Sequence, residues 1–176
     1  MSTPTLFLML LGNDADRLPP RVRRLHARDD VRVYRGEAEV RRGEGILARF
    51  AGAAASLPPA SADTHLDVTI EPWRGGERWT RNFGGARMQS RMWGSGGLLR
   101  ERLGLVTFGF KLGIEDDALV WRVIRVSCLG LPLPAGLFRG VVAREFERDG
   151  RYWFDVRAEL PLAGLLVHYI GWLDVE

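Results

Sequence analysis

Residues 105–128 read LVTFGFKLGIEDDALVWRVIRVSC. Val106, Phe108, Phe110, Leu112 and Ile114 fall on alternate positions with Thr107, Gly109, Lys111 and Gly113 between them, the period-two signature of a strand with one buried face. Asp116-Asp117 breaks the run, and Ala118 to Cys128 resumes as a second strand. Strands joined this closely must be antiparallel neighbours, because a parallel return needs a crossover of about a dozen residues. The unit is a β-hairpin, and the chain repeats it.

Working outward, Val31–Val40, His65–Trp73, Glu77–Phe83 and Arg87–Trp93 precede the hairpin, and Val141–Arg148, Tyr152–Leu160 and Val167–Val175 follow it. Arg74-Gly75-Gly76, Phe83-Gly84-Gly85 and Asp149-Gly150 supply turns. The expectation is a mainly β (α+β) fold, an antiparallel β-barrel or strongly curved half-barrel of about nine strands, since that many twisted strands rarely stay flat. Residues 1–176 are expected to form one domain, with a helical N-terminal segment over 1–28 and the barrel over 31–176. Within that segment one short helix is expected over Pro4–Gly12, and a second is opened by Pro19-Pro20 with Val22 and Leu25 on one face. A further helix is predicted over 46–57, with Ile46, Leu47, Phe50, Ala53, Ala54 and Leu57 at helical spacing, Arg49 opposite, and Pro58-Pro59 as its stop.

Hydrophobic residues at 46% and charged residues at 27% describe a globule with a core rather than a disordered chain. Lys111 is the only lysine among 25 basic residues, and the arginines are interspersed with acids, as in Arg144, Glu145, Glu147, Arg148 and Asp149. That dispersal argues against a nucleic-acid groove. Cys128 is the only cysteine, which excludes an intrachain disulfide and suits a cytoplasmic location. The apolar Leu6–Leu11 lacks the features of a signal peptide, and no stretch is long enough for a transmembrane helix. His26, His65 and His168 lack metal-ligand spacing, and phosphate-loop and dinucleotide fingerprints are absent, so neither metal nor cofactor is expected.

Alternation puts Arg81 on one face with Trp79 and Phe83, and Arg122 with Val120 and Ile124 or Arg125 with Trp121 and Val123. An inward guanidinium needs a carboxylate or an anionic ligand, and Glu101, Glu145 and Asp155 are candidate partners. On the last strand His168 and Trp172 share one face and Tyr169 takes the other. The loop Leu129–Gly140 carries Leu131, Leu133, Leu137 and Phe138 beside Pro132 and Pro134, and reads as a plug, a lid or an interface.

Arg17-Leu18-Pro19-Pro20 followed by Val22 and Leu25-His26, then Gly36, Ala38, Val40 and Arg42-Gly43, form the first part of an ordered motif set. It continues through Glu77-Arg78-Trp79 with Arg81 and Phe83-Gly84, Glu101-Arg102 with Gly104, and Leu131-Pro132-Leu133-Pro134. Phe154-Asp155-Val156 and Tyr169 with Gly171-Trp172-Leu173 close it. This set resembles a bacterial family, domain of unknown function 4166. The resemblance implies a bacterial, cytoplasmic protein and a relation to dehydrogenase-like dinucleotide-binding domains, to which family members are sometimes joined; it carries no active residues over.

The functional expectation is binding of a small, largely apolar molecule, with an anionic amphiphile as one form of it, in the barrel interior. Trp79, Arg81, Glu101, Arg122, Leu133, Phe138, His168, Tyr169 and Trp172 are the candidate ligand-binding residues. The cavity is expected between the 46–57 helix and the concave face of the sheet, with a volume of roughly 300 Å³ or more. One alternative is an enzyme with an acid–base pair drawn from His168, Glu101, Glu145 and Asp155, to which Tyr169 is a further candidate. The other is an interaction module that forms a homodimer or docks a dehydrogenase-like partner.

Overall fold

The computed structural model describes residues 5–176. Three short helices, α1 (Leu6–Leu11), α2 (Pro20–His26) and α3 (Ile46–Ala54), accompany eleven strands. The strands are β1 (Arg32–Arg42), β2 (Ser61–Trp73), β3 (Gly76–Phe83), β4 (Ala86–Ser95), β5 (Leu98–Leu103), β6 (Val106–Glu115), β7 (Ala118–Cys128), β8 (Leu131–Leu133), β9 (Gly140–Arg148), β10 (Arg151–Leu160) and β11 (Gly164–Leu173). Each strand from β1 to β7 pairs antiparallel with the next, β7 passes to β9, and β11 returns to β1. The result is a closed barrel of ten strands, with β8 lying outside it on the last residues of β7.

The turns explain the regularity. Arg74-Gly75, Gly84-Gly85, Gly96-Gly97, Asp116-Asp117, Leu129-Gly130 and Asp149-Gly150 all have positive φ at both positions. That is the backbone of the two-residue hairpin turn whose twist matches the twist of the strands it joins. Closure of the barrel then leaves no long open edge.

Two strands exceed the nine expected. β5 lies in the Gly-rich segment 94–104, where no strand is expected from the sequence, and β8 is a three-residue piece of the apolar loop. On β7 Ala118 to Trp121 are all buried, and the register slips further along, where Gly109 faces Arg125 but Phe110 faces Val123. This bulge sends Ile124 and Arg125 both outward while Val126 returns to the core.

The two ends of the barrel differ. At one end α1, α2 and the 3₁₀ segment Gly12–Arg17 pack against β4, β5, β6, β9 and β10, with Phe7, Val22 and Leu25 fully buried. The expected helix start at Pro4 lies outside the described residues. At the other end α3 leans on β11, and its orientation corrects the sequence expectation. Ala48 and Gly52 are its buried residues, while Ile46, Leu47 and Phe50 are exposed. The cause is Arg42, which runs beneath the helix and donates to the Pro58 carbonyl at 2.9 Å. A Cβ at Gly52 would lie 1.9 Å from the Arg42 guanidinium, so any side chain there would have to push the arginine aside.

Candidate ligand-binding cavity

Alternation decides what faces inward. The buried set is Glu77, Trp79, Arg81 and Phe83 on β3, Leu99, Glu101 and Leu103 on β5, and Val141, Ala143 and Glu145 on β9. Tyr152 and Phe154 on β10 and Val167, Tyr169 and Leu173 on β11 complete the wall. Inside is a cavity of about 110 Å³, bounded near α3 by Ala55, Leu57 and Phe138. It is smaller than expected because rings fill the bore: Trp79, Phe83, Phe108, Phe110 and Trp121 all project into it. It also lies deeper, with only the residues just after α3 reaching its edge.

Most of this lining is apolar, so its charges stand out. Arg81 lies 3.6 Å from Glu101, donates to Ser90 Oγ at 3.0 Å, and rests 5.0 Å over the Trp79 ring. Trp79 is itself held, its indole N–H donating to Glu77 at 2.7 Å, and Glu77 pairs with the buried Arg32 at 3.7 Å. Across the bore Glu145 meets His26 Nε2 at 2.6 Å. The His26 ring arrives from α2 and stacks on Phe7 at 3.8 Å. Each charge is thereby compensated, as burial in an apolar interior demands. The Trp121 indole N–H is buried with no acceptor among the described residues.

The tyrosines report the same surroundings. Burial first, then the charge and hydrogen bond of Glu145, hold the Tyr152 hydroxyl well above its ordinary 10.0. Burial pushes Tyr169 up to about 12, with Arg81 opposing and Glu101 and Glu145 adding to the shift. Below pH 10 a tyrosine is protonated in both folded and unfolded chains, and its contribution is whole. As the pH rises from 10 towards 12 the unfolded form ionises first, and the contribution is lost. Tyr169 alone then accounts for about 3 kcal/mol of stability lost over this window. Urea unfolding at pH 8 and pH 12 should show Tyr169→Phe losing about that much less than the parent chain; equal losses would place the Tyr169 hydroxyl in water.

Of the residues singled out from sequence, Trp79, Arg81, Glu101, Phe138 and Tyr169 line the cavity. Arg122, His168 and Trp172 do not. They point outward, Arg122 to Glu115 at 2.9 Å, His168 to Asp155 at 2.9 Å, and Trp172 beneath the Arg151 guanidinium at 4.2 Å. Leu133 is exposed on β8. The four acid–base candidates therefore separate, Glu101 and Glu145 inside and His168 and Asp155 outside. His26, Tyr152 and Trp121 complete the polar cluster and were not singled out as site residues. Only the even spacing of Tyr152 and Phe154 within one strand hinted at the second. No group of three metal-ligating side chains occurs among the described residues, and none of their helices is long and apolar enough to cross a membrane.

The residues on which the sequence resemblance rests fall on these same elements: Trp79, Arg81 and Phe83 on β3, Glu101 on β5, Tyr169 on β11 and His26 on α2. No curated protein matches the sequence. A family model does, over residues 18–173, and the chain belongs to the family it defines, the domain of unknown function DUF4166.

Proposed function

We propose that the barrel binds a small, largely apolar molecule whose polar end is uncharged and hydrogen-bonds among Arg81, Glu101, Glu145 and Trp121. The observation that carries this reading is an enclosed apolar cavity in which the few polar groups cluster together. Binding sites have that composition, greasy walls for affinity and a few polar groups for orientation. At about 110 Å³ the space is below the range of drug-sized ligands, roughly 300–1,000 Å³. It is nearer the roughly 150 Å³ apolar cavity that holds benzene. A single ring or short chain fits, and a longer chain would leave past Phe138.

Charge decides the polar end. Two carboxylates line the cavity against one guanidinium, and that guanidinium already faces Glu101. An anionic head would have to displace Glu101, whereas a hydroxyl or carbonyl can accept from Arg81 or Trp121 without separating the pair. A second reading, acid–base chemistry at Glu145, draws on the 2.6 Å contact with His26, which could exchange a proton with a carboxyl at the cavity wall.

Trp79 and Trp121 make the cavity visible in fluorescence. Titration with 1-hexanol should change their emission, and hexanoate should bind about tenfold or more weakly, the energy of separating a buried pair being more than 1.4 kcal/mol. Glu101→Gln should shift the preference towards hexanoate by freeing Arg81. No saturable change with either ligand, or an unchanged preference in Glu101→Gln, would overturn the proposal.

A further inference from the structure

Nine of the thirteen large exposed hydrophobic residues lie at the α3 end of the barrel. Ile46, Leu47 and Phe50 stand on α3, Leu129 and Leu131 on the β7–β8 turn and the start of β8, and Leu162 on the β10–β11 turn. Phe50 is 72% exposed and Leu162 86%. The surface is continuous, because the Leu105 amide donates to Ala54 at the end of α3 and the Leu129 amide donates to Leu105. A patch of this extent marks an interaction site.

Charge selects the occupant. Arg49, Arg102 and Arg139 are exposed on the same rim with no carboxylate within ion-pair distance among the described residues, and the connections at this end contain one acid, Glu44. The opposite end is the more acidic of the two: Asp29, Asp30, Asp116, Asp117, Asp149 and Asp174 stand in its turns and terminus beside Arg24, Arg28 and Arg74. A protein partner would need an acidic, apolar face of its own. An anionic bilayer supplies both features over any area, with acyl chains for the leucines and phenylalanine and headgroups for the arginines. We infer that the α3 rim docks on an anionic lipid surface, with the acidic end directed away from it.

Docking would set the end of the cavity lined by Phe138 against the lipid, so a neutral apolar ligand entering past Phe138 would not cross water. The inference goes beyond the cavity reading and does not depend on it: hexanol titration needs no vesicles, and vesicle binding needs no ligand.

The test is co-sedimentation of the full chain with phosphatidylcholine vesicles, with and without phosphatidylserine. Binding should require phosphatidylserine. It should fall by roughly tenfold or more in Ile46→Ser/Phe50→Ser and, separately, in Arg49→Glu/Arg139→Glu. All four side chains are exposed, so the variants should keep the parent's urea midpoint, and they are scored only if they do. No binding by the parent chain, equal binding to both vesicle types, or unchanged binding in both variants would overturn the inference. So would a concentration-dependent dimer in sedimentation that Ile46→Ser/Phe50→Ser dissociates while vesicle binding is absent, since a second copy would then be the occupant.

Discussion

Alanine in place of Glu145 should lower the unfolding free energy by about 3 kcal/mol, the low end of the range for removing one partner of a buried ion pair. The carboxylate is 3% exposed and meets an imidazole that is 1% exposed. Without it, His26 Nε2 loses its partner and the Tyr152 hydroxyl its neighbouring carboxylate inside a wall of rings. The low end applies because the partner left behind is a single imidazole nitrogen rather than a forked guanidinium. His26→Leu/Glu145→Leu should recover at least half of the loss, because apolar residues of similar volume avoid the desolvation that the pair carries. Urea unfolding of the single and double variants closes the cycle. If Glu145→Ala keeps the parent's midpoint, Glu145 is in contact with water and the polar floor of the cavity does not exist as described.

Phe7→Ala should cost about 3–5 kcal/mol, the usual range for emptying a phenylalanine site in a core. Phe7 is fully buried at the centre of the helical plug, stacked on His26 and 5.3 Å from Trp121. Met9, two residues further along the same helix and on its outer side, is 55% exposed, and Met9→Ala should stay within about 0.5 kcal/mol of the parent. The contrast separates a plug from a loosely attached helix. With Phe7 gone, Trp121 and Trp79 should also shift to longer emission wavelengths as water enters from the helical end. Equal midpoints for the two variants would contradict a closed end.

Strand periodicity and turn chemistry were legible in the sequence because both are local. The alternation over 105–128 and the paired turn residues yield antiparallel β-structure and a short-connection barrel without any long-range information. β5 was not legible, for a physical reason. Its inward positions are Leu99, Glu101 and Leu103, and the acid breaks the apolar stripe. Glu101 tolerates that position because Arg81 compensates it from two strands away, a pairing no local pattern contains.

Parity gave the two faces of β11 but not their sense. Tyr169 looks inward and His168 outward, with the Phe154 ring packed so close to Gly171 that a Cβ there would lie 2.7 Å from it. Helical spacing likewise marked an apolar face on α3 without saying that Arg42 already fills the space beneath the helix. The bulge on β7 turned Arg125 out of the face that parity shares with Trp121 and Val123, whereas Arg122 faces outward by simple alternation, and a single extra residue in a strand leaves no compositional trace. His26 reached the site through the fold alone, 119 residues from its partner.

Entry of a ligand into the bore of the barrel can be read from a methyl label inside it. Met88 lines the cavity and is 1% exposed, whereas Met9 sits on the outside of the helical plug. With methyl-¹³C methionine and 1-hexanol, intermolecular NOEs and a saturable shift are expected at the Met88 methyl, and neither at Met9. NOEs confined to Met9, or a Met88 methyl unmoved at saturating hexanol, would contradict entry into the bore.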